Sequence, residues 1–291
     1  MAGTCSKVVI VLVVALVLVA SASAAAPNVA AMNLQPADMP GAKVSSQGSV
    51  KEKGYVAAYG RSFAFAAPYG KSKLIAVEVE TQLAASVATA TADIGALERL
   101  FRSKAGHAAL VAQIARSAKV QPKAVVVGAL RKVAGYDQGF ELPVSVTVKG
   151  IRAYENISYL RLDRVVVTLA ETGLRGIAAA DTSHFATIVA GHIGTELAPI
   201  GVSLPTVAGT AQQGQTLSGS PGTWTAPDAV LTYQWQRCDA AGATCVDVAG
   251  AATQTYAVAA ADVGTTLHVV VTAANRFGVA TATSTQTAVV V

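Results

Sequence analysis

Residues Tyr233–Cys245 read YQWQRCDAAGATC, and this stretch decides how the last third of the chain folds. Leu231, Tyr233 and Trp235 share one parity, while Thr232, Gln234 and Gln236 take the other. Alternation with a period of two is the mark of a β-strand with one buried face. The strand runs into Cys238, a loop DAAGAT follows, and Cys245 comes next; these are two of only 3 cysteines in 291 residues. Further out, Leu267, Val269, Val271 and Ala273 repeat the pattern, with His268 and Thr272 facing away. Turn signals at Ser220-Pro221-Gly222, Asp239–Gly242, Asp262–Gly264 and Asn275–Gly278 separate such segments. No helical period appears beyond the seam at Pro199–Pro205 (PIGVSLP). Short strands and regular turns over about 90 residues predict an antiparallel β-sandwich.

The run GQTLSGSPGTWTAPDAVLTYQWQRCDAAGATCVDVAGAATQTYAVAAADVGTTLHVVVTAANRFG resembles bacterial immunoglobulin-like modules of secreted and cell-wall proteins, frequent in actinobacteria. Gly214, Leu217, Trp224, the run Tyr233–Cys238, Cys245, Tyr256, Asp262, Gly264, Leu267, Thr272–Asn275 and Gly278 carry the likeness, which covers residues 204–291. It implies a spacer, display or adhesion module, with Trp224, Tyr233, Trp235 and Leu267 as core residues and no catalytic residues to transfer.

Within that frame Cys238 and Cys245 flank a loop joining adjacent antiparallel strands, which brings Cβ atoms within disulfide reach. Cys238 has the parity opposite to Trp235, so the bond is expected on the outward face. A metal or redox pair is the rival reading, but C-x6-C is not C-x-x-C spacing and no histidine lies nearby in sequence.

The chain opens MAGTCSKVVIVLVVALVLVASASAAAP, with Lys7, an apolar run from Val8 to Ala20 and an A-x-A site at Ala22-Ser23-Ala24. This is the three-part pattern of a secretory signal peptide over residues 1–24, with an uncleaved anchor as the alternative. Cleavage would remove Cys5 and leave an even number of cysteines, as an oxidising compartment favours. Cys5 precedes the apolar run, so it is not placed as a lipid-bearing cysteine. The composition, 52% hydrophobic and 13% charged, excludes a disordered chain. The formal charge of +5 sits in the front part, because Arg237 and Arg276 are outnumbered by Asp228, Asp239, Asp247 and Asp262 after the seam. A mildly basic front part suits anionic envelope polymers.

Residues 25–199 mix helical and strand patterns and predict an α+β domain, an antiparallel sheet packed with helices. Lys73–Glu80 alternates as a strand. A helix follows with Thr81 as its N-cap, carrying Leu83, Val87, Ala90, Ile94, Leu97 and Phe101 and weakened near Ala92. A second helix after Gly106 carries His107, Leu110, Val111, Ile114 and Ala118. Strands return at Ala124–Ala129, Pro143–Val148 and Tyr159–Ala170, and a last helix from Asp181 buries Phe185, Ile188, Val189, Ile193 and Leu197 before Pro199. The opening LQPADMPGAKVSSQG and this order resemble small extracellular α+β domains of actinobacterial lipoproteins and sensor kinases, without the lipoprotein cysteine. That resemblance implies a non-enzymatic ligand-binding or sensing domain.

Four constellations are candidate sites. The segment GYVAAYGRSFAFAAPYGK gathers Tyr55, Tyr59, Phe63, Phe65 and Tyr69 beside Arg61. Its spacing fits a strand pair around a turn, whose aromatics either line a groove for a lipid, glycan or peptide or cover the sheet's apolar face. His184 and His192 stand near Asp181 and Glu196, but eight residues leave the imidazoles about 80° apart around a helix. Asp181, Ser183 and His184 hold the atoms of a triad within one helical turn, where a serine, its base and an orienting acid rarely converge. Asn156-Ile-Ser158 matches the glycosylation tripeptide, a pattern with a high chance rate. The sequence therefore predicts an exported, non-catalytic protein, with no cofactor or metal and no transmembrane segment after cleavage. Its partner is a cell-envelope polymer, lipid or surface protein rather than a nucleic acid. The alternatives are a purely structural adhesion scaffold and a secreted hydrolase.

Overall fold

The computed structural model describes residues 27–51 and 54–291; the signal peptide expected at residues 1–24 lies outside the described residues. The fold is rich in β-sheet, with four α-helices and several separate sheets among the described residues. It divides into two compact units, Asn28–Ile193 and Gly194–Val291, described in turn.

The first unit follows the order α1 (Val29–Met32), β1 (Ala42–Ser49), β2 (Tyr55–Tyr69), β3 (Leu74–Ala84), α2 (Val87–Arg102), α3 (Lys104–Ala118), β4 (Val125–Val127), β5 (Arg131–Lys132), β6 (Gln138–Val148), β7 (Ile151–Leu162), β8 (Val165–Gly173) and α4 (Ala179–Leu197). All eight strands belong to one antiparallel sheet, ordered β1-β2-β3-β8-β7-β6-β4 with β5 on β6. Its two faces are covered differently. On one face Phe140, Leu142 and Val144 from β6, Ile157 and Tyr159 from β7 and Val166 from β8 pack with Ala90, Ile94 and Phe101 of α2 and Leu110 and Ile114 of α3. Gly106 permits the tight α2–α3 corner, since a Cβ there would meet the Leu100 carbonyl oxygen at 2.0 Å. On the other face α4 is tied to the sheet where Thr182 donates to Glu171 of β8.

Several boundaries differ from the sequence reading, each for a local reason. The aromatic segment is one 15-residue strand, not a strand pair around a turn; its hairpin partners are β1, which was not foreseen, and β3, the strand expected at Lys73–Glu80. Tyr159–Ala170 is not one strand but the end of β7 and most of β8, because Asp163 adopts φ 59° and reverses the chain without a glycine. Thr81 is not a cap: it sits buried in β3 opposite Val167, and Ser86 caps α2 by accepting from the Thr89 amide. No break appears at Ala92, and α2 is continuous.

From Gly201 the second unit consists of strands and turns with one short 3-10 helix at Ala260–Asp262; the strands are β9 (Gly201–Ser203), β10 (Thr206–Ala208), β11 (Thr216–Ser220), β12 (Thr223–Trp224), β13 (Val230–Cys238), β14 (Val246–Asp247), β15 (Thr255–Ala257), β16 (Thr266–Asn275) and β17 (Gly278–Thr283). They form sheets β14-β13-β16-β17, β10-β11-β15 and β9-β12. Trp224, Trp235 and Leu267 lie in the unit's core with Leu217, Val269 and Val271, and Tyr233 packs against it half-buried. Asp262, a turn residue in the sequence reading, is fully buried and anchors this unit. Its carboxylate accepts from Arg237 Nε at 2.6 Å, the Tyr256 hydroxyl at 2.7 Å and the Ala259 amide at 2.7 Å.

Candidate functional site

The helices leave part of the first unit's sheet uncovered, and there the register builds a groove of about 290 Å³. Two cross-strand rungs form its floor. One is Ser46–Ser62–Glu78–Ala170 and the other Gly48–Gly60–Glu80–Thr168, each running through β1, β2, β3 and β8. Residues directly opposite in an antiparallel sheet project from the same face, so hydroxyls and carboxylates converge here. The two glycines keep the floor low; a Cβ on Gly48 would meet nothing within 4 Å. Ser46 and Ser62 share a hydrogen bond of 3.0 Å.

The electrostatics of this face come from half-buried acids. Burial raises the Glu78 carboxyl above its usual range, and a hydrogen bond with Ser62 partly offsets the rise. Glu155 of β7 is pushed up to about 8 by burial and then by repulsion from Glu78. The two carboxyls therefore hold protons more readily than exposed acids do. Glu171, projecting from the opposite face, is also pushed up to about 8 by burial, against hydrogen bonds from Thr182 and Asn156.

Of the two alternatives for the aromatics, the groove does not form, because β2 distributes those residues between two faces and one end. Phe63 is in the core, 1% exposed. Tyr59 and Arg61 project to the same face as Phe63, where Arg61 donates to Gln47 and Gln35, bonds the Leu34 carbonyl and lies over the Tyr59 ring. An extra residue at Val56 turns Tyr55 to the opposite face, and its hydroxyl meets Asp93 of α2 at 2.9 Å. Phe65 and Tyr69 stack on one another at the strand's end. Of the six, Arg61 alone borders the groove. Parity explains the miss: the groove uses Gly60 and Ser62, one position out of step with the aromatics. The signal was the run of small residues between them.

The other constellations are structural. Asp181 accepts from the Ser72 amide and hydroxyl, while Ser183 and His184 are exposed, so no triad assembles. His192 contacts the Asn33 carbonyl at 3.0 Å and Asp38 at 3.7 Å, apart from His184, whose ring leans on Phe185. Asn156 is 1% exposed and donates to Glu141 and Thr182, so the glycosylation tripeptide is internal.

In the second unit Cys238 and Cys245 are joined by a disulfide. The β13–β14 register, Gln236↔Asp247 and Arg237↔Val246, brings them opposite one another. The bond lies on the face away from Trp235, beside His268, but it is covered there: Cys238 is 1% exposed, though Cys245 is exposed. The intervening loop is tied down instead. Asp239 accepts from the Ala241 and Ala243 amides, Thr266 donates to the Asp239 carbonyl, and Gln286 donates to the Gly242 carbonyl. Gly242 has φ +80°, and a Cβ there would lie 1.8 Å from Gln286 Oε1. His268, remote in sequence, pairs with Gln236 on the adjoining strand and sets its Nδ1 3.8 Å from Cys238 Sγ. Burial lowers the pKa of its imidazole.

No family model and no curated protein sequence matches the chain, so the immunoglobulin-like resemblance of residues 204–291 draws no support from those comparisons. Among solved structures, the extracellular domain of PknH from Mycobacterium tuberculosis is similar at a TM-score of 0.37 and 11% identity, covering 59% of this chain and 98% of that one. At that score the likeness is weak.

Proposed function

We propose that this is an exported, non-catalytic protein of the cell envelope. In this reading residues 25–199 are an α+β domain that binds or senses an envelope component, and residues 204–291 are an immunoglobulin-like module that displays it. The observation that carries the reading is the uncovered groove with two polar rungs. Its hydroxyls and carboxyls suit a hydrogen-bonding glycan better than a lipid tail, which would leave them buried and unpaired. The disulfide supports an oxidising compartment. Among the described residues no helix is long and apolar enough to cross a membrane.

A thermal-shift screen of the full chain against soluble cell-wall oligosaccharides, lipids and proteins tests this. Glycan stabilisation that disappears in Gly48→Leu, whose side chain fills the groove, is the expected result. Capture of a surface protein alone, unaffected by Gly48→Leu, would favour the adhesion scaffold. The raised Glu78 carboxyl beside Glu80 favours a second reading, a glycan hydrolase. Release of shortened oligosaccharides by the wild type but not by Glu78→Gln would establish it.

A further inference from the structure

We propose that Cys238, Cys245 and His268 form a redox-gated site for a divalent cation of the zinc class, closed while the disulfide is intact and opened by its reduction. This is independent of the groove. Sγ of each cysteine and a ring nitrogen of His268 lie within 4.8 Å of one another. A tetrahedral zinc with sulfur and nitrogen ligands keeps its donor atoms about 3.5–4 Å apart. The His268 Nδ1 to Cys238 Sγ separation, 3.8 Å, already meets that spacing. The two sulfurs must part, with Cys245 Sγ settling at the same spacing from the imidazole; Cys245 is exposed and terminates a loop.

The imidazole is also oriented for the task. Its Nε2 stands 2.6 Å from Gln236 Oε1, an atom that can only accept. Nε2 therefore carries the hydrogen, and the lone pair of Nδ1 faces the sulfurs. A ligating histidine held through its other nitrogen is the usual outer arrangement of a metal site. Two thiolates and an imidazole make a soft, zinc-selecting set with a fourth position left for solvent.

Opening requires a two-electron reductant, and a thiol is one that serves. A reductant thiolate attacks the exposed Cys245 sulfur, the S–S bond breaks, and its electron pair leaves on Cys238. A second reductant thiol then cleaves the mixed disulfide. The protein gains two electrons and two protons, and the reductant becomes its own disulfide. Zinc binding displaces the two thiol protons.

The test uses the full chain, oxidised or reduced with a phosphine that is then removed, titrated with zinc alone by calorimetry. Reduced protein should bind one zinc per chain and oxidised protein none. Gln236→Ala should weaken binding by roughly tenfold and His268→Ala by more. Cobalt substitution should give a thiolate-to-metal charge-transfer band. Tryptophan emission, from Trp224 and Trp235 in the same unit, follows folding throughout. If reduction loosens the unit, zinc should restore native emission in the wild type and not in His268→Ala. Reduced chain that binds no zinc, binding indifferent to His268→Ala, or failure of zinc to restore a loosened unit would each overturn the proposal.

Discussion

The two units accommodate their buried carboxyls in opposite ways. In the first, a wide sheet buries carboxyls with incomplete partners: Glu171 accepts from Thr182 through one oxygen while its other oxygen has no hydrogen-bond partner. Such a group is accommodated by keeping its proton. In the second, Asp262 is equally buried but is surrounded by donors from Arg237, Tyr256 and Ala259. A full shell of donors accommodates a charge without neutralising it. The same element, a carboxyl inside a β-rich core, is thus a proton store in one unit and a structural anchor in the other.

This contrast can be broken most forcefully with pH. The Glu171 carboxyl sits at about 8 in the folded chain against 4.5 for the free side chain. Below about pH 4.5 both states carry the proton and the group costs nothing. Between there and pH 8 the unfolded chain releases it and the folded one does not, so the first unit's stability falls as pH rises. The loss is on the order of several kcal/mol, at about 1.4 kcal/mol for each tenfold change in proton affinity. Helical ellipticity during urea unfolding measures it, and Glu171→Gln should flatten the slope.

The second unit should answer to partners instead. Asp262→Ala strands Arg237, Tyr256 and the Ala259 amide, and is expected to cost about 3 kcal/mol or more. Tryptophan emission reports this loss, because both tryptophans lie in the second unit's core. Unchanged helical ellipticity in that variant would confirm that the effect is local. Reducing the disulfide should cost a further amount of about 2 kcal/mol, the loop-closure contribution of so short a loop. The smallest effect is that of His268. Burial lowers its pKa, so the unfolded chain takes up a proton first, and the second unit should lose stability as pH falls through about 6.5. The two units therefore tilt in opposite directions with pH, and parallel profiles from ellipticity and emission would break the comparison.

The units also differ in how far the sequence discloses them. In the second, period-two alternation around Trp235 and Val269 identifies the central strands, and the spacing of Cys238 and Cys245 matches a short hairpin. What the sequence concealed there is three-dimensional: the Asp262 anchor draws its donors from positions up to 25 residues away, and His268 meets Cys238 only through strand pairing. In the first unit the helices at Val87–Arg102 and Ala179–Leu197 follow visible apolar stripes. The strands are harder to read. β1 reads AKVSSQGS, too polar to show a buried face, and the extra residue at Val56 changes the parity of Tyr55 against its neighbours. A groove made of glycine, serine and glutamate on one side of β2 leaves no apolar trace, whereas Tyr59 and Phe63 mark the opposite face.

The groove assignment is tested most directly by amide hydrogen exchange of the full chain with and without a bound cell-wall oligosaccharide. The account predicts slowed exchange confined to β1 and β2 around Gly48 and Gly60, and none in Gly48→Leu. Protection that falls in residues 204–291 instead, or that survives Gly48→Leu, would contradict it.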